Sequence, residues 1–265
     1  MANENLGGPR VRANAVWSLQ QITEHQRTLD WIIANKADWL ETPFGSQLIY
    51  GTVRHYHSLA TLIEPLLEKP LRTRDKDLFH LLIVGAYQLL HMRLPAYASI
   101  NETVSACRLL RKNWAKSFIN GVLREVDRQN KDKLASSLSN QNHPAWFVEK
   151  IKTQYPKQWD AICSANDQQP AMAIRVNSFR TSLDLYCEKL NKANIQFSPA
   201  RSEYGVILQE PVPSKTLPGW LEGEASLQDL GAQFAAPLLI NALSENTNTP
   251  TILDGCAAPG GKLSH

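Results

Sequence analysis

Thr251-Ile-Leu-Asp-Gly-Cys-Ala-Ala-Pro-Gly-Gly-Lys-Leu-Ser-His265 begins with an apolar run and continues with small residues. Such a run suits a buried strand of a mainly parallel sheet, and these sheets bind ligands beyond the carboxyl ends of their strands. We therefore predict a strand over 251–253, with Asp254 at its edge. Because glycine and alanine carry almost no side chain, the loop that follows lets main chain approach a ligand closely.

The register of this loop excludes two nucleotide-binding motifs. A phosphate-binding loop ending in Lys262 needs Gly at 256 and Ser or Thr at 263, where this chain has Cys256 and Leu263. The dinucleotide pattern G-x-G-x-x-G fails because the glycines are wrongly spaced. An ordinary strand-to-helix turn is the simpler alternative, although so many small residues after an apolar strand favour ligand binding.

The string Asp254–Lys262 resembles the S-adenosylmethionine loop of the RNA cytosine-C5 methyltransferases, whose Cys-Ala-Ala-Pro-Gly-Gly-Lys sequence it matches at every position. The resemblance implies S-adenosylmethionine as cofactor and the start of an incomplete Rossmann-type methyltransferase domain over 226–265. The cofactor-binding residues that it implies are Cys256, Ala257, Ala258, Pro259, Gly260, Gly261 and Lys262.

The composition of the 265 residues, 43% hydrophobic and 20% charged, is typical of a soluble globular protein with room for two domains. No apolar run reaches the roughly 18 residues of a membrane span, and the start lacks the pattern of a secretory signal. The cysteines lie far apart without a C-x-x-C pair, which predicts reduced thiols and no metal. We expect a cytoplasmic monomer that binds no membrane.

Residues 1–135 are predicted to form a helical bundle. Asp77 is the expected cap of a helix over 78–90, which is apolar nearly all round and therefore predicted to be central. Ser99-Ile-Asn-Glu102 reads as a capping box that begins the next helix. A polar linker is predicted at 136–144. A small α/β domain over 145–225 follows, with strands at 171–177 and 205–209 and a helix at 183–194.

Basic residues are concentrated between Arg93 and Lys133, where nine basic and four acidic residues give a net charge of +5 in a chain of net charge +3. Clustered Lys and Arg side chains bind phosphates, although a charge run is often only a solvated helix face. Arg175 and Asn177 lie at the end of a predicted strand, where a role as ordinary polar residues is equally open. The candidate RNA-binding residues are Arg108, Arg111, Lys112, Lys116, Arg124, Arg128, Arg175 and Asn177.

The helical part resembles the NusB-like RNA-binding fold, and the middle part is similar to the small domain that precedes the catalytic domain in these methyltransferases. The NusB-like segments are Leu48–Arg54, Gly85–Leu90, Met92–Pro95, Asn101–Val104 and Asn120–Arg124. The middle segments are His143–Trp146, Ile174–Asn177 and Leu227–Asp229. One departure is Tyr97, where the family often has His. The order of these parts resembles the family members that act on small-subunit ribosomal RNA.

The resemblance implies methylation of cytosine C5 in 16S ribosomal RNA through a covalent bond between a cysteine and C6. Both catalytic cysteines of the family follow the cofactor loop, and no residue of this chain matches either one. We therefore expect no catalytic residue here, a nucleophile downstream of His265 and no activity of this chain alone. The alternatives are a NusB-like RNA-binding or antitermination module without catalysis, against which residues 144–265 argue, and a small-molecule nucleotide binder.

Overall fold

A computed structural model describes residues 7–35, 42–129, 142–243, 250–258 and 260–265. The chain folds as two compact units, Met1–Gln168 and Gln169–His265. Most of the predicted linker, residues 136–141, lies outside the described residues. The domain boundaries predicted at 135 and 145 stay predictions.

The described part of the first unit is helical. Its α-helices are α1 (Gly8–Thr23), α2 (Leu29–Asn35), α3 (Pro43–Arg54), α4 (Tyr56–Ile63), α5 (Lys76–His91), α6 (Ala96–Leu109), α7 (Lys116–Arg128), α8 (Ala145–Gln154) and α9 (Trp159–Asn166). Helix α5 packs against α1, α3, α4, α6 and α7. Its side chains are buried on every face from Leu78 to Leu89, as the apolar pattern predicts. Each fully buried leucine there stabilises the fold by roughly 1.5–3 kcal/mol.

Two predicted helix starts are wrong by a few residues. Helix α5 is capped at Asp75, and Asp77 lies inside the first turn, where its carboxylate accepts a hydrogen bond from Leu78 N at 3.0 Å. Helix α6 begins at Ala96, directly after Pro95, so Ser99 lies within the helix. The Pro95 carbonyl already accepts the Ser99 N–H at 3.1 Å, because nothing between these residues breaks a helix.

The second unit contains a small antiparallel sheet with one longer helix, in the order β1 (Met172–Val176), α10 (Leu183–Lys192), β2 (Phe197–Pro199), β3 (Gly205–Leu208), β4 (Ala225–Leu227), α11 (Leu230–Gln233) and α12 (Ala235–Ala242). The strand order is β2-β3-β1-β4. Ile174 and Val206 of the sheet form a core with Tyr186 and Leu190 of α10. The predictions of β1, α10 and β3 are confirmed to within two residues.

The strand predicted at 251–253 is wrong for this structure. Residues 250–258 hold no strand, and none of the described residues forms a β-ladder with them. Ile252 and Leu253 are 52% and 90% exposed, because no described neighbour covers them. The Rossmann-type domain expected over 226–265 is therefore not confirmed.

Candidate functional site

Two neighbouring cavities lie along the contact between α6 and α7. We call them together the α6–α7 groove. One cavity, of about 290 Å³, is lined by Pro9, Ser105, Arg108, Leu109 and Lys116. The other, of about 220 Å³, is lined by Tyr97, Ile100, Asn101, Val104, Asn120, Arg124 and Asp127. From the cavity of Arg124 to the cavity of Lys116, the numbers of the lining residues increase along α6 and decrease along α7. The two helices therefore run antiparallel beside the groove.

Three of the sequence-predicted basic residues line this groove. Arg108, Lys116 and Arg124 are exposed, and they come from both helices. The Arg124 guanidinium donates a hydrogen bond to Asn120 Oδ1 at 3.3 Å, which holds its side chain along α7. A groove with cations on both walls is suited to a chain of phosphates.

Lys112 is placed differently from what the sequence pattern indicated. Its ammonium donates hydrogen bonds to the Arg74 carbonyl at 2.6 Å, to Asp75 Oδ1 at 2.9 Å and to Asp77 Oδ1 at 2.5 Å. Its side chain is only 14% exposed. Burial lowers the pKa of Lys112, but the two carboxylates outweigh it and raise that pKa overall. Lys112 therefore stabilises the start of α5 and does not line the α6–α7 groove.

The other predicted RNA contacts lie outside the groove. Arg111 is exposed, and Arg128 is exposed with an ion pair to Glu125 at 3.0 Å. Arg175 is buried within the second unit. Asn177 donates a hydrogen bond to the Gly223 carbonyl at 2.9 Å and accepts one from Phe179 N, so it shapes the turn after β1.

The glycine loop is attached to the sheet of the second unit by a buried polar network. Arg175 Nε donates to Gln228 Oε1 at 2.6 Å, and Arg175 Nη2 donates to Ser264 Oγ at 3.0 Å. Gln228 Nε2 in turn donates to the Gly261 carbonyl at 3.1 Å. Gln233 donates to the Gln228 carbonyl at 2.9 Å and is itself buried. Sequence reasoning gave neither glutamine a role in the site, although Gln228 lies within the segment Leu227–Asp229 that carries part of the resemblance.

The backbone of the glycine loop is unobstructed, as a close contact with a ligand requires. Gly260 has φ +104°, and no described atom lies within 4 Å of the position a Cβ would take there. At Gly261 a Cβ would meet only Gln228 Nε2, at 3.9 Å. Cys256 N donates to the Asp254 carboxylate at 3.0 Å, which forms a turn before the glycines. Of the remaining implied cofactor residues, Ala257, Ala258 and Lys262 are exposed and Pro259 lies outside the described residues.

The described residues therefore fit S-adenosylmethionine through the main chain of the glycine loop. The cavity that adjoins the loop, between Arg175 and His265, holds about 90 Å³, whereas ligand sites typically hold about 300–1,000 Å³. The described residues supply an open glycine turn and its attachment to the sheet, but they do not enclose a ligand.

The four cysteines differ in their access to solvent. Cys107 and Cys163 are fully buried, and burial raises the pKa of both thiols. Burial also raises the pKa of Cys187. A raised pKa disfavours the thiolate, which is the nucleophilic form. Cys256 is exposed on the glycine loop.

Two classes of site are not seen in the described part of the chain. Within residues 7–35, 42–129, 142–243, 250–258 and 260–265, no three His, Cys, Asp or Glu side chains are grouped to hold a metal ion. Among the described helices, none has the length and apolar character that crossing a membrane takes.

A larger cavity of the first unit, about 600 Å³, contains none of the sequence-predicted site residues. His80 lies at its wall and is 3% exposed. Its Nε2 is 3.3 Å from Glu24 Oε1 and 3.4 Å from Thr23 Oγ1. Burial lowers the pKa of His80, and the Glu24 carboxylate only partly offsets this. The folded protein therefore holds a neutral His80 near pH 7.

This histidine predicts a dependence of stability on pH. The pKa of His80 lies below 6.5 in the folded chain, so the unfolded chain binds more protons between the two values. Its contribution is complete above pH 6.5 and is lost as the pH falls through the folded pKa. We expect the urea midpoint at pH 5.5 to lie below that at pH 7.5, with a smaller drop in His80→Leu. His57→Leu is the control at an exposed histidine; an equal drop in both variants would contradict the prediction.

Comparison with known proteins assigns both regions of the chain. Residues 9–128 match the NusB family, and residues 143–215 match the family described as Methyltr_RsmF/B-like, ferredoxin-like domain. The crystal structure of PH0851 superimposes with a TM-score of 0.58 at 15% identity, covering 90% of this chain and 56% of that one. At this identity the likeness shows the fold alone.

Curated relatives match 87–96% of the chain. The probable ribosomal RNA small subunit methyltransferase B of Coxiella burnetii is 40% identical over 262 residues, covering 96% of this chain and 59% of the relative. The ribosomal RNA small subunit methyltransferase B of Pseudomonas syringae is 39% identical over 236 residues, covering 87% and 52%. That of Serratia proteamaculans is 38% identical over 263 residues, covering 96% and 60%. The chain thus spans 52–60% of the length of these relatives. Over nearly all of its own length, the chain belongs to the family of the ribosomal RNA small subunit methyltransferase B proteins.

Proposed function

We propose that this chain supplies RNA binding and the cofactor loop for S-adenosylmethionine-dependent methylation of cytosine C5 in small-subunit ribosomal RNA. The Cys–C6 adduct that this chemistry needs is assigned to a cysteine outside the 265 residues. The protein would act in the cytoplasm as a monomer. Domain limits at 135, 145 and 226 are part of this proposal.

The observation that carries the proposal is the attachment of the glycine loop. Buried Arg175 and Gln228 hold Ser264 and the Gly261 carbonyl by hydrogen bonds of 3.0 and 3.1 Å. Gly260 beside them has a φ that only glycine adopts easily, and no described atom lies within 4 Å of the position a Cβ would take there. A ligand contact made by main chain needs this combination of a fixed turn and an unobstructed backbone.

Within this proposal, each part of the chain has a physical role. S-adenosylmethionine, when bound, supplies a methyl group on a sulfonium. Gly260 and Gly261 let main chain approach it, and the Arg175–Gln228 network fixes their position. Arg108, Lys116 and Arg124 bind phosphates of the RNA. Cys107 and Cys163 are buried and Cys256 belongs to the cofactor loop, so the residues of this chain are assigned to binding and orientation.

We expect Gly260→Val to weaken S-adenosylmethionine binding at least about tenfold, which is about 1.4 kcal/mol. The branched side chain would occupy the open space beside the loop, and φ +104° is strained for valine. Calorimetry measures the change in a methyltransferase that contains this chain and is as long as its relatives.

Gly223→Val is the matched control for this test. Gly223 has φ +71°, and no described atom lies within 4 Å of its Cβ position, so valine there brings similar backbone strain. Gly223 lies outside the loop and its substitution should leave cofactor affinity unchanged. If Gly260→Val binds the cofactor normally, the cofactor site is elsewhere. If the wild-type methyltransferase binds no S-adenosylmethionine but does bind RNA, the RNA-binding module without catalysis is the better assignment.

A further inference from the structure

Besides Arg124, the second cavity of the α6–α7 groove is lined by an aromatic ring, two amides, apolar side chains and the Asp127 carboxylate. Tyr97 contributes an aromatic ring and is 78% exposed. Asn101 and Asn120 contribute side-chain amides from opposite walls, and Ile100 and Val104 contribute apolar surface. An exposed ring beside amides at the edge of a basic groove matches the chemistry of a planar, hydrogen-bonding ligand.

The hydrogen bonds within the cavity direct its polar groups. Asn120 Oδ1 accepts the Arg124 guanidinium at 3.3 Å, which leaves the Asn120 amino group to donate to a ligand. Asn101 is exposed and offers both a donor and an acceptor. The side-chain amides of Asn101 and Asn120 can form hydrogen bonds with the edge of a base, where donors and acceptors alternate.

The size of the cavity limits what it holds. Its volume of about 220 Å³ corresponds to roughly seven water molecules at about 30 Å³ each. One planar base fits this space. Only a base that has left its stack offers both its face to an aromatic ring and its edge to amides, as is usual where proteins read RNA sequence in loops and bulges.

The neighbouring cavity supplies the backbone contact that such a base needs. Arg108 and Lys116 line it, together with the Ser105 hydroxyl. Lys116 precedes Asn120 by four residues on α7, which is about 6 Å at 1.5 Å per residue. Cations at this separation lie within reach of the phosphates next to the same nucleotide.

We propose that Tyr97, Asn101 and Asn120 hold one unpaired nucleobase of RNA, stacked on the Tyr97 ring, while Arg108 and Lys116 bind the adjoining phosphates. This proposal rests on the RNA binding proposed above and adds that the groove selects unpaired RNA.

The test compares two RNA probes bound to the 265-residue chain by fluorescence anisotropy at low salt. One probe is a stem–loop with an unpaired loop, and the other is a fully paired duplex of equal length and composition. Stacking on an aromatic ring increases the affinity for a base by about tenfold or more. We expect Tyr97→Ala to lose about this factor for the stem–loop and nothing for the duplex, while Tyr97→Phe keeps stem–loop affinity.

Tyr50→Ala is the matched control, because Tyr50 is also exposed, at 43%, but lies on α3 outside the groove. Asn120→Ala should weaken the stem–loop in the same direction as Tyr97→Ala. If the wild-type chain binds both probes and Tyr97→Ala is silent, the base site is wrong while RNA binding stands. If the wild-type chain binds neither probe, the RNA-binding function itself is overturned. Equal losses for Tyr97→Ala and Tyr50→Ala would also overturn the base site.

Discussion

Lys112→Glu is expected to destabilise the first unit by about 2–3 kcal/mol. The ammonium of Lys112 lies between Asp75 and Asp77, whose side chains are 11% and 15% exposed. Breaking a buried ion pair typically costs about 3–5 kcal/mol, and the remaining exposure of Lys112 reduces that figure here. Glutamate would add a third carboxylate at the start of α5. Urea unfolding of the chain, followed by circular dichroism, measures the change.

Arg111→Glu is the control for Lys112→Glu, since it reverses the charge of the adjacent residue. Arg111 is exposed, and its substitution should stay within about 0.5 kcal/mol of wild type. If both variants unfold at the wild-type urea concentration, the Lys112–Asp75–Asp77 cluster contributes nothing to stability. A loss of RNA binding by Lys112→Glu would therefore report unfolding of the first unit.

Lys112 and Arg108 show how far a basic segment of the sequence predicts where its side chains lie. Both residues belong to one positively charged run, and their spacing suggests a shared helix face. The helix ends at Leu109, and Arg111 has φ +57°, so the chain turns between them. That turn carries Lys112 to two carboxylates more than 30 residues earlier in the chain. A pairing so distant in sequence leaves no local pattern.

The fold was predictable where a single element carries its own signal. Helix α5 is apolar on all faces, and strands β1 and β3 contain enough apolar residues to be recognised. Strands β2 and β4 have three residues each, which is too short for a period of two to be visible. The run Thr251–Leu253 has the composition of a strand, but a strand also needs a partner, and the described residues provide none.

Arg108→Glu/Lys116→Glu/Arg124→Glu is expected to weaken RNA binding roughly 100-fold at 0.1 M salt. Each phosphate contact with single-stranded RNA contributes about 0.7 to the slope of log affinity against log salt, so three contacts contribute about 2. All three residues are exposed, so the variant should keep the wild-type fold. Fluorescence anisotropy with the stem–loop probe at several salt concentrations gives both the affinity and the slope.

Lys150→Glu/Lys157→Glu is the control for this triple substitution. Both lysines are exposed in the first unit and lie outside the α6–α7 groove. Reversing them changes the overall charge but should leave the salt slope within experimental error of wild type. An equal loss of affinity in the control would mean that RNA responds to net charge and not to the groove.

The salt dependence of RNA binding by the unmodified 265-residue chain tests the central claim most directly. The claim is that the α6–α7 groove binds RNA through phosphates held by Arg108, Lys116 and Arg124. It predicts measurable binding of the stem–loop probe at low salt, with a log–log slope near −2. No binding at low salt, or an affinity that does not change with salt, would contradict it.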